Sequence, residues 1–567
     1  MKQGIVYTLH NECQDCYKCV RRCPVKSIRV QDGHACILSD KCIVCGRCVA
    51  PCPSHAKRVR NDLDKVRQLI NSGKSVYVSL APSWRGSFSC TSGQMVATLK
   101  KLGFAGISET ALGAQEVSIE TARLLNQKDK GLVISSACPV VVKYIRLYKP
   151  ELAEYIVPIA SPALTHAKIL KKAYGEEIAV VFIGPCIAKK EESDTHKDLL
   201  DYALTFEELK LWLKETDTPI ESGDCLGEEF VPTCAYEGNL YPMDGGMCET
   251  IKKVGIDDKV HLCQVCSLES FDLAVDGFAK DNLKNPVFVE ALACAGGCMH
   301  GPCVATKLSD INNVSRVLRH VKYRKDIPTT PDVVVAQEYS PIAINGRTYL
   351  MDEIQEALGR IGKYSPEDEL NCAGCGYQTC RDMAKALLDG NAEPSMCVSY
   401  MRKMAAKKAN AMLKNIPSAM VMLNKDLCIM EANEAFAKMF AGEKQDVYLS
   451  DLQKLSGMQI QKFFNADKVF LSVLSTGNEA HKENYRFNNK FYDLHVFPVE
   501  QNTSIGVTIT EITNASRARE IVAKKAKEVI DKNIFTVQQI ACLLGEHMVQ
   551  TETILNTIAN EYNTDEE

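Results

Sequence analysis

The sequence predicts a multidomain protein built of α/β and α+β units, and three observations lead there. At roughly 150 residues per unit, 567 residues imply three to five separate cores. The apolar pattern also changes along the chain, from short continuous strands between amphipathic helices to strands of period-two alternation further on. Finally, sixteen of the 26 cysteines fall into four sets of four, and these sets mark off segments of the chain.

Apolar residues make up 46% and charged residues 24%, the balance of a folded globular protein and not of a disordered or collagenous one. The 67 basic and 71 acidic side chains leave a net charge of -4, so no general attraction to nucleic acid is expected. The longest apolar passage, Ile178 to Ala188, is broken by Gly184 and Pro185 and is too short for a membrane helix. The opening residues MKQGIVYTLHNE do not read as a secretory leader. A cytoplasmic protein is expected, whose thiols bind metal instead of forming disulfides.

The first segment, residues 1–62, carries one motif twice: Cys13, Cys16, Cys19 and Cys23 before Pro24, then Cys42, Cys45, Cys48 and Cys52 before Pro53. In such a run three thiolates close on one iron–sulfur cube and the fourth crosses to the other. Cys13, Cys16 and Cys19 are therefore paired with Cys52, and Cys42, Cys45 and Cys48 with Cys23. A zinc site needs four ligands and has no use for the third closely spaced thiol. The segment resembles a bacterial two-cluster ferredoxin domain, which implies electron relay. Cys36 fits no ligand position there; a lone His10 could in principle cap a further cluster, but ordinary packing or surface is the commoner place for either residue, and neither is assigned.

From residue 63 to about 345, apolar strands at Val76 to Leu80, Val133 to Ser135, Ile178 to Ile183 and Val287 to Leu292 alternate with helical stretches. That alternation predicts a largely parallel sheet with ligand sites at the carboxyl ends of its strands. Cys138, Cys186, Cys294 and Cys298 sit at those ends, so four thiols from three loops can meet on one cofactor. Ser135-Ser136-Ala137-Cys138-Pro139, Gly184-Pro185-Cys186-x-x-Lys189-x-x-Glu192 and Glu290-x-Leu292-x-Cys294-x-x-x-Cys298 resemble, in order, the three signature loops of FeFe-hydrogenases.

The resemblance implies an H-cluster: a 4Fe-4S cube on Cys138, Cys186, Cys294 and Cys298, with Cys298 bridging to a two-iron subsite carrying CO, CN and azadithiolate. It implies H2 and protons as substrates, a hydrogen bond from Lys189 to cyanide, and a proton-relay position at Glu192. It also exposes departures. Catalytic members carry a proton-passing thiol where this chain has Ala137, and a methyl group can neither donate nor accept a proton. Turnover is expected to fall by about 10²- to 10⁴-fold. Gly184 and Leu292 replace two methionines that crowd the two-iron subsite, His300-Gly301-Pro302-Cys303 replaces a longer glycine run, and Asp244-Gly245-Gly246-Met247 only approximates another pocket segment. Together the changes resemble the sensory branch of the family.

Residues 346–402 hold Cys372, Cys375, Cys380 and Cys397, with Ala384 to Leu388 reading as helix, and resemble a small single-cube 4Fe-4S module. Zinc is the competing metal there. A basic stretch from Tyr400 to Lys414 reads as a connecting helix with a solvated face. Residues 403–513 give a strand at Ala419 to Leu423, a helix at Ala432 to Phe440, and alternating Tyr492, Leu494, Val496 and Ile505, Val507, Ile509, which predict a small antiparallel sheet. With Asn433-Glu434-Ala435-Phe436 this segment resembles a PAS domain, and isolated Cys428 and His495 assign it no haem or flavin. From 514 to 567, Val522, Ala526, Val529, Val537, Ile540, Leu544, Met548, Leu555 and Ile558 predict amphipathic helices able to form a homodimer.

The expected whole is a cytoplasmic hydrogen sensor with three 4Fe-4S clusters and an H-cluster. A ferredoxin-like redox partner and a separate kinase or phosphatase would complete it. The competing reading is a metabolic hydrogenase exchanging electrons with ferredoxin.

Overall fold

The computed structural model describes residues 4–512 and 525–534, apart from 221–222, 224, 226, 280–281, 305–309, 345–346 and 489. The chain forms two compact units, Met1–Glu393 and Pro394–Glu567.

The first unit opens with two antiparallel ribbons. Strand β1 (Val6–Thr8) anticipates a late partner, while β2 (Ile28–Gln31) and β3 (His34–Ile37) form a hairpin, and β4 (Lys57–Val59) returns to pair with β1. Asp32 and Gly33 turn the hairpin at φ 52° and 71°, the double positive φ that an Asp-Gly loop supplies most readily. The buried ammonium of Lys57 donates to the Ala35 carbonyl at 2.7 Å and ties the two ribbons together.

Strands β5 (Val76–Leu80), β6 (Gly106–Glu109), β7 (Gly131–Ile134), β8 (Ala179–Gly184), β9 (Tyr202–Thr205), β10 (His261–Cys266) and β11 (Pro286–Leu292) follow. All four apolar runs expected as strands are therefore strands. They do not share one sheet: β6-β5-β8-β9 and β10-β11-β7 are two separate parallel sheets. The reason lies in the helix Ala111–Asn126, of whose 16 residues twelve are buried. Its Gly113 lies against the helix Pro162–Tyr174, which packs on the first sheet, while Ala114, Val117 and Leu125 meet Val133 and Phe288 of the second. A helix covered on both sides separates two sheets, and strands buried on both faces look alike in sequence whichever sheet they join. In β8 all six residues are buried.

Further along this unit, the helices Met351–Arg360 and Cys380–Leu388 pack together, the second opened by a reciprocal cap between Thr379 and Asp382. The segment leans on the first cysteine run: a Cβ on Gly376 would come 3.0 Å from Val20, and Val30 N–H donates to the Asn391 carbonyl at 3.0 Å.

The second unit begins with the helix Val398–Asn415, close to the connecting helix expected at 400–414. Strands β12 (Ala419–Asn424), β13 (Ile429–Ala432), β14 (Ala480–Phe487), β15 (Lys490–Glu500) and β16 (Ser504–Glu511) form one antiparallel sheet in the order β13-β12-β16-β15-β14. The alternating residues Tyr492, Leu494, Val496, Ile505, Val507 and Ile509 all point into its core, as period two requires. Asn433 caps the helix Glu434–Phe440 through Phe436 N–H (2.9 Å) and also accepts from Met420 N–H at 2.9 Å, so one side chain joins helix and sheet. Aromatic rings fill the interior: Phe464 stands 4.8 Å from Phe487 and 5.8 Å from Tyr492. Residues 525–534 are helical with Ala526 and Val529 half-buried, whereas Val522, Val537, Ile540, Leu544, Met548, Leu555 and Ile558 lie outside the described residues.

Candidate metal and hydrogen-activation site

Because the two larger sheets of the first unit are parallel, their carboxyl ends gather loops on one side. Residues following β5, β6, β7, β8 and β11 line a single cavity of about 110 Å³, among them Ala81, Thr110, Ala137, Pro185 and Ala293. Cys138, Cys186, Cys294 and Cys298 all line it.

Each sulfur is positioned by a local device. Cys138 is the N-cap of the helix Pro139–Tyr148, and Pro139 occupies the first helical position, where its missing amide hydrogen is no loss. Cys186 follows β8 through Gly184-Pro185 and precedes the helix Lys189–Thr195. Gly296 and Gly297, at φ 74° and 81°, fold the chain between Cys294 and Cys298 so that both sulfurs face inward. A Cβ at Gly297 would sit 2.4 Å from the Pro242 carbonyl, so only glycine passes there.

The surroundings of these sulfurs disfavour the anionic thiolate. Burial, aided by the neighbouring Cys138 sulfur, pushes the Cys186 thiol up to about 11, and Cys294 and Cys298 are raised further for the same two reasons. Alone these thiols stay protonated; four thiolates there require a positive metal body, whose binding releases their protons. Among the described residues every cysteine is a free thiol, and no three His, Cys, Asp or Glu side chains are gathered for a single metal ion.

Lys189 lines the same cavity and is buried, so the Lys-Lys-Glu-Glu run is not a solvated face. Its Nζ donates to Ser161 Oγ at 2.8 Å and to Glu192 Oε2 at 2.5 Å. Two residues singled out separately in the sequence are thus each other's partners, with Glu192 behind Lys189 and outside the lining. Gly184 leaves room that the Phe182 ring takes: a Cβ there would lie 2.5 Å from that ring. Phe182 also lines the cavity and holds its ring 6.0 Å from Lys189 Nζ.

A second, smaller cavity of about 20 Å³ is lined by Cys23, Cys42, Cys45 and Cys48, the crossed set expected from the repeated motif. Cys45 lines both cavities. The remaining set is also drawn together: burial pushes Cys19 up to about 11, against the pull of Lys57, with Cys16, Cys13 and Cys52 adding their negative charge. The loop around Gly46 presses on the larger domain so closely that a Cβ would come 2.6 Å from Ile187 and 2.8 Å from Pro302. Of the last set, Cys372, Cys375 and Cys380 lie in the first unit, and Cys397 caps the first long helix of the second.

Sequence reasoning missed three features. Lys190, wholly buried, donates to Glu208 Oε1 at 2.8 Å and Asp62 Oδ2 at 3.2 Å, joining the end of the ferredoxin-like segment to the larger domain. Arg47 crosses from one cysteine loop to another. Glu290, quoted only as part of a motif, is a buried carboxyl on the cavity wall.

The fold and the site define a multidomain iron–sulfur protein with an FeFe-hydrogenase H-cluster domain and a ferredoxin-like 4Fe-4S domain. Residues 74–302 match the iron-only hydrogenase large subunit, C-terminal domain; 5–53 match a 4Fe-4S dicluster domain; and 368–399 match a putative Fe-S cluster family. Iron hydrogenase 1 of Clostridium pasteurianum is 25% identical over 332 residues, 47% of this chain and 57% of that protein. The periplasmic Fe hydrogenase large subunit of Nitratidesulfovibrio vulgaris is 29% identical over 268 residues, 38% of this chain and 62% of that protein. The chain thus spans about three fifths of the length of these relatives. A variant of the FeFe-hydrogenase HydA1 from Chlamydomonas reinhardtii superposes at TM-score 0.37 and 16% identity, over 49% of this chain and 99% of that one. The PAS domain of an HTR-like protein from Haloarcula marismortui gives TM-score 0.16 and 19% identity, over 20% of this chain and 97% of that one.

Proposed function

We propose that the protein is a sensory FeFe-hydrogenase that binds H2 and oxidises it slowly and reversibly at an H-cluster. One observation carries the reading: a complete set of four cavity-lining thiols stands beside Ala137, where a thiol would pass protons. Cys138, Cys186, Cys294 and Cys298 would hold the cluster, and the bound group supplies heterolytic cleavage of H2. The chain's own part is to exclude water and hold charge. Ala81, Pro82, Phe182, Ile187 and Leu292 give the cavity apolar walls, and the buried ammonium of Lys189 offers a charge-assisted donor for an anionic ligand.

Electrons would leave through Cys45, which fronts both cavities, toward the cubes of the ferredoxin-like segment, the third cube and a ferredoxin-type partner. The second unit would report the change as a PAS-like domain. Its support is the antiparallel five-stranded sheet with helices inserted between β13 and β14, and its ring-filled core favours a ligand-free form. A homodimer through the C-terminal helices and a separate kinase or phosphatase complete the proposal, in the cytoplasm. No helix among the described residues is long and apolar enough to cross a membrane.

The test is infrared spectroscopy and turnover of fully matured protein under H2 and under argon. Carbonyl and cyanide bands that respond to H2, with turnover about 10²-fold or more below a catalytic hydrogenase, are expected. Turnover equal to a catalytic hydrogenase would favour the metabolic reading, and absence of the bands would remove the H-cluster.

A further inference from the structure

A buried carboxyl on a cofactor cavity requires explanation, because burying a carboxylate without a full set of partners is costly. Glu290 is 2% exposed, sits on β11 four residues before Cys294, and lines the cavity. Its Oε2 accepts from Cys248 N–H at 2.8 Å, in the first turn of the helix Gly246–Val254, while its Oε1 is buried with no hydrogen bond. One oxygen is thus fixed by a helix N-terminus, whose Met247 N–H and Cys248 thiol also favour the charged carboxylate, while Oε1 has no close hydrogen bond of its own.

Exposed residues stand next to this buried carboxyl. β10 is the edge of its sheet, and Gln264, in register with Glu290, is exposed. Asp244, also exposed, acts electrostatically on Glu290 and accepts a hydrogen bond from the half-buried Cys266 thiol. The titratable groups facing Glu290 are Cys248 and Asp244 on its helix side, Cys266 on β10, and Tyr241. None is a cation.

We infer that Glu290 is the proton relay of this cavity, exchanging protons with solvent through the edge formed by Cys248, Cys266 and Asp244, in place of the thiol absent at position 137. The inference rests on the hydrogenase reading above. In the direction of H2 oxidation, a proton released in the cavity adds to Oε1 of the carboxylate. The carboxyl then gives a proton up toward the edge at Cys248, Cys266 and Asp244, where solvent removes it. The reverse sequence delivers a proton for H2 formation. Electrons take no part in this path and leave through the thiolate-held clusters. Burial, opposed by the hydrogen bonds at Cys248 and reinforced by the charge on Asp244, raises the Glu290 carboxyl to about 7, where both forms are populated at neutral pH. Glu192 is less suited, being outside the cavity lining and paired with Lys189.

The full-length protein should be compared with Glu290→Gln, Glu290→Asp and Asp244→Asn, before and after maturation. Before maturation, the infrared carboxylic C=O band should titrate with a midpoint near 7 in the parent, be missing in Glu290→Gln, and titrate lower in Asp244→Asn. After maturation, Glu290→Gln should keep its carbonyl and cyanide bands yet lose about 10²-fold in H2 turnover and the inflection near neutral pH, with Glu290→Asp recovering part. Bands retained with unchanged turnover in Glu290→Gln would overturn the relay alone, as would a parent carboxyl that does not titrate between about pH 6 and 8. A parent protein without the bands would overturn the hydrogenase reading, and the relay with it. Should Glu290→Gln fail to mature, the carboxyl titration of the parent and of Asp244→Asn decides.

Discussion

Arg47 Nη2 donates to the Ala293 carbonyl at 3.0 Å, so the loop between Cys45 and Cys48 is fastened to the residue before Cys294. The guanidinium also pairs with Glu269, and Cys45 in turn contributes to raising Cys294. The two thiol-lined cavities are therefore held in register by a residue that lines the smaller one and whose charge acts on both Cys45 and Cys294. Arg47→Met keeps the apolar stem and removes the donors, at an expected cost of about 1–2 kcal/mol. Thermal unfolding reads the cost. In matured protein the carbonyl and cyanide bands should persist, while reduction of the cubes under H2, followed by electron paramagnetic resonance, should slow. Cubes that reduce at the parent rate would show that this contact does not set the spacing for electron transfer.

Ala137 lines the cavity one residue before Cys138, so its replacement by cysteine places a thiol on that wall. Ala137→Cys is expected to raise H2 turnover by about 10²-fold with little change in the infrared bands. The gain should be larger in a Glu290→Gln background, because two parallel proton routes mask each other when both are open. A rate unaffected in both backgrounds would mean that proton supply does not limit this site.

Lys189 and Lys190 are adjacent in sequence and opposite in purpose. Lys190 is wholly buried between Asp62 and Glu208, and Lys190→Met would leave the buried Glu208 without its cation while Asp62 keeps Arg60 and Lys65, at a cost of about 3 kcal/mol. Lys189 faces the cavity, its partner Glu192 is less deeply buried than Asp62, and Lys189→Met should cost less stability but lower retention of the matured cofactor. Denaturant unfolding and infrared band intensity separate the two effects.

Much of this was legible because ligand spacing is a local property: the repeated cysteine runs and the loop motifs name their residues whatever the tertiary fold. The strands were legible for a similar reason, as apolar runs must be buried somewhere. What the sequence does not carry is the partner of a buried strand, so β7 reads as a member of the same sheet as β8 although it pairs with β11. Nor does it carry the pairing of buried charges, since Lys190, Asp62 and Glu208 are far apart in the chain and look like surface residues. Glu290 belongs to the same class: a motif gives its position, but its unbonded oxygen and its closeness to a sheet edge appear only in three dimensions.

A last expectation concerns acid. His166 is wholly buried in the helix Pro162–Tyr174 and bonds Ser79 Oγ of β5 at 2.7 Å through Nδ1 and Ser108 Oγ of β6 at 2.8 Å through Nε2. A neutral imidazole, donating at one nitrogen and accepting at the other, serves both hydroxyls. Burial pushes its pKa down to about 3, below the ordinary 6.5, so the unfolded chain takes up the proton first. The resulting stability is fully present above about pH 6.5 and is lost as pH falls toward 3; at pH 4.5 the loss is about 3 kcal/mol. His166→Gln should begin less stable at pH 7 but lose about 3 kcal/mol less than the parent between pH 7 and 4.5, measured by denaturant unfolding at matched pH so that acid effects on the clusters cancel. An equal loss in both proteins would mean that the imidazole is not held neutral. The consequence reaches the cavity, because β5 and β6 run directly into Ala81 and Thr110 on its wall.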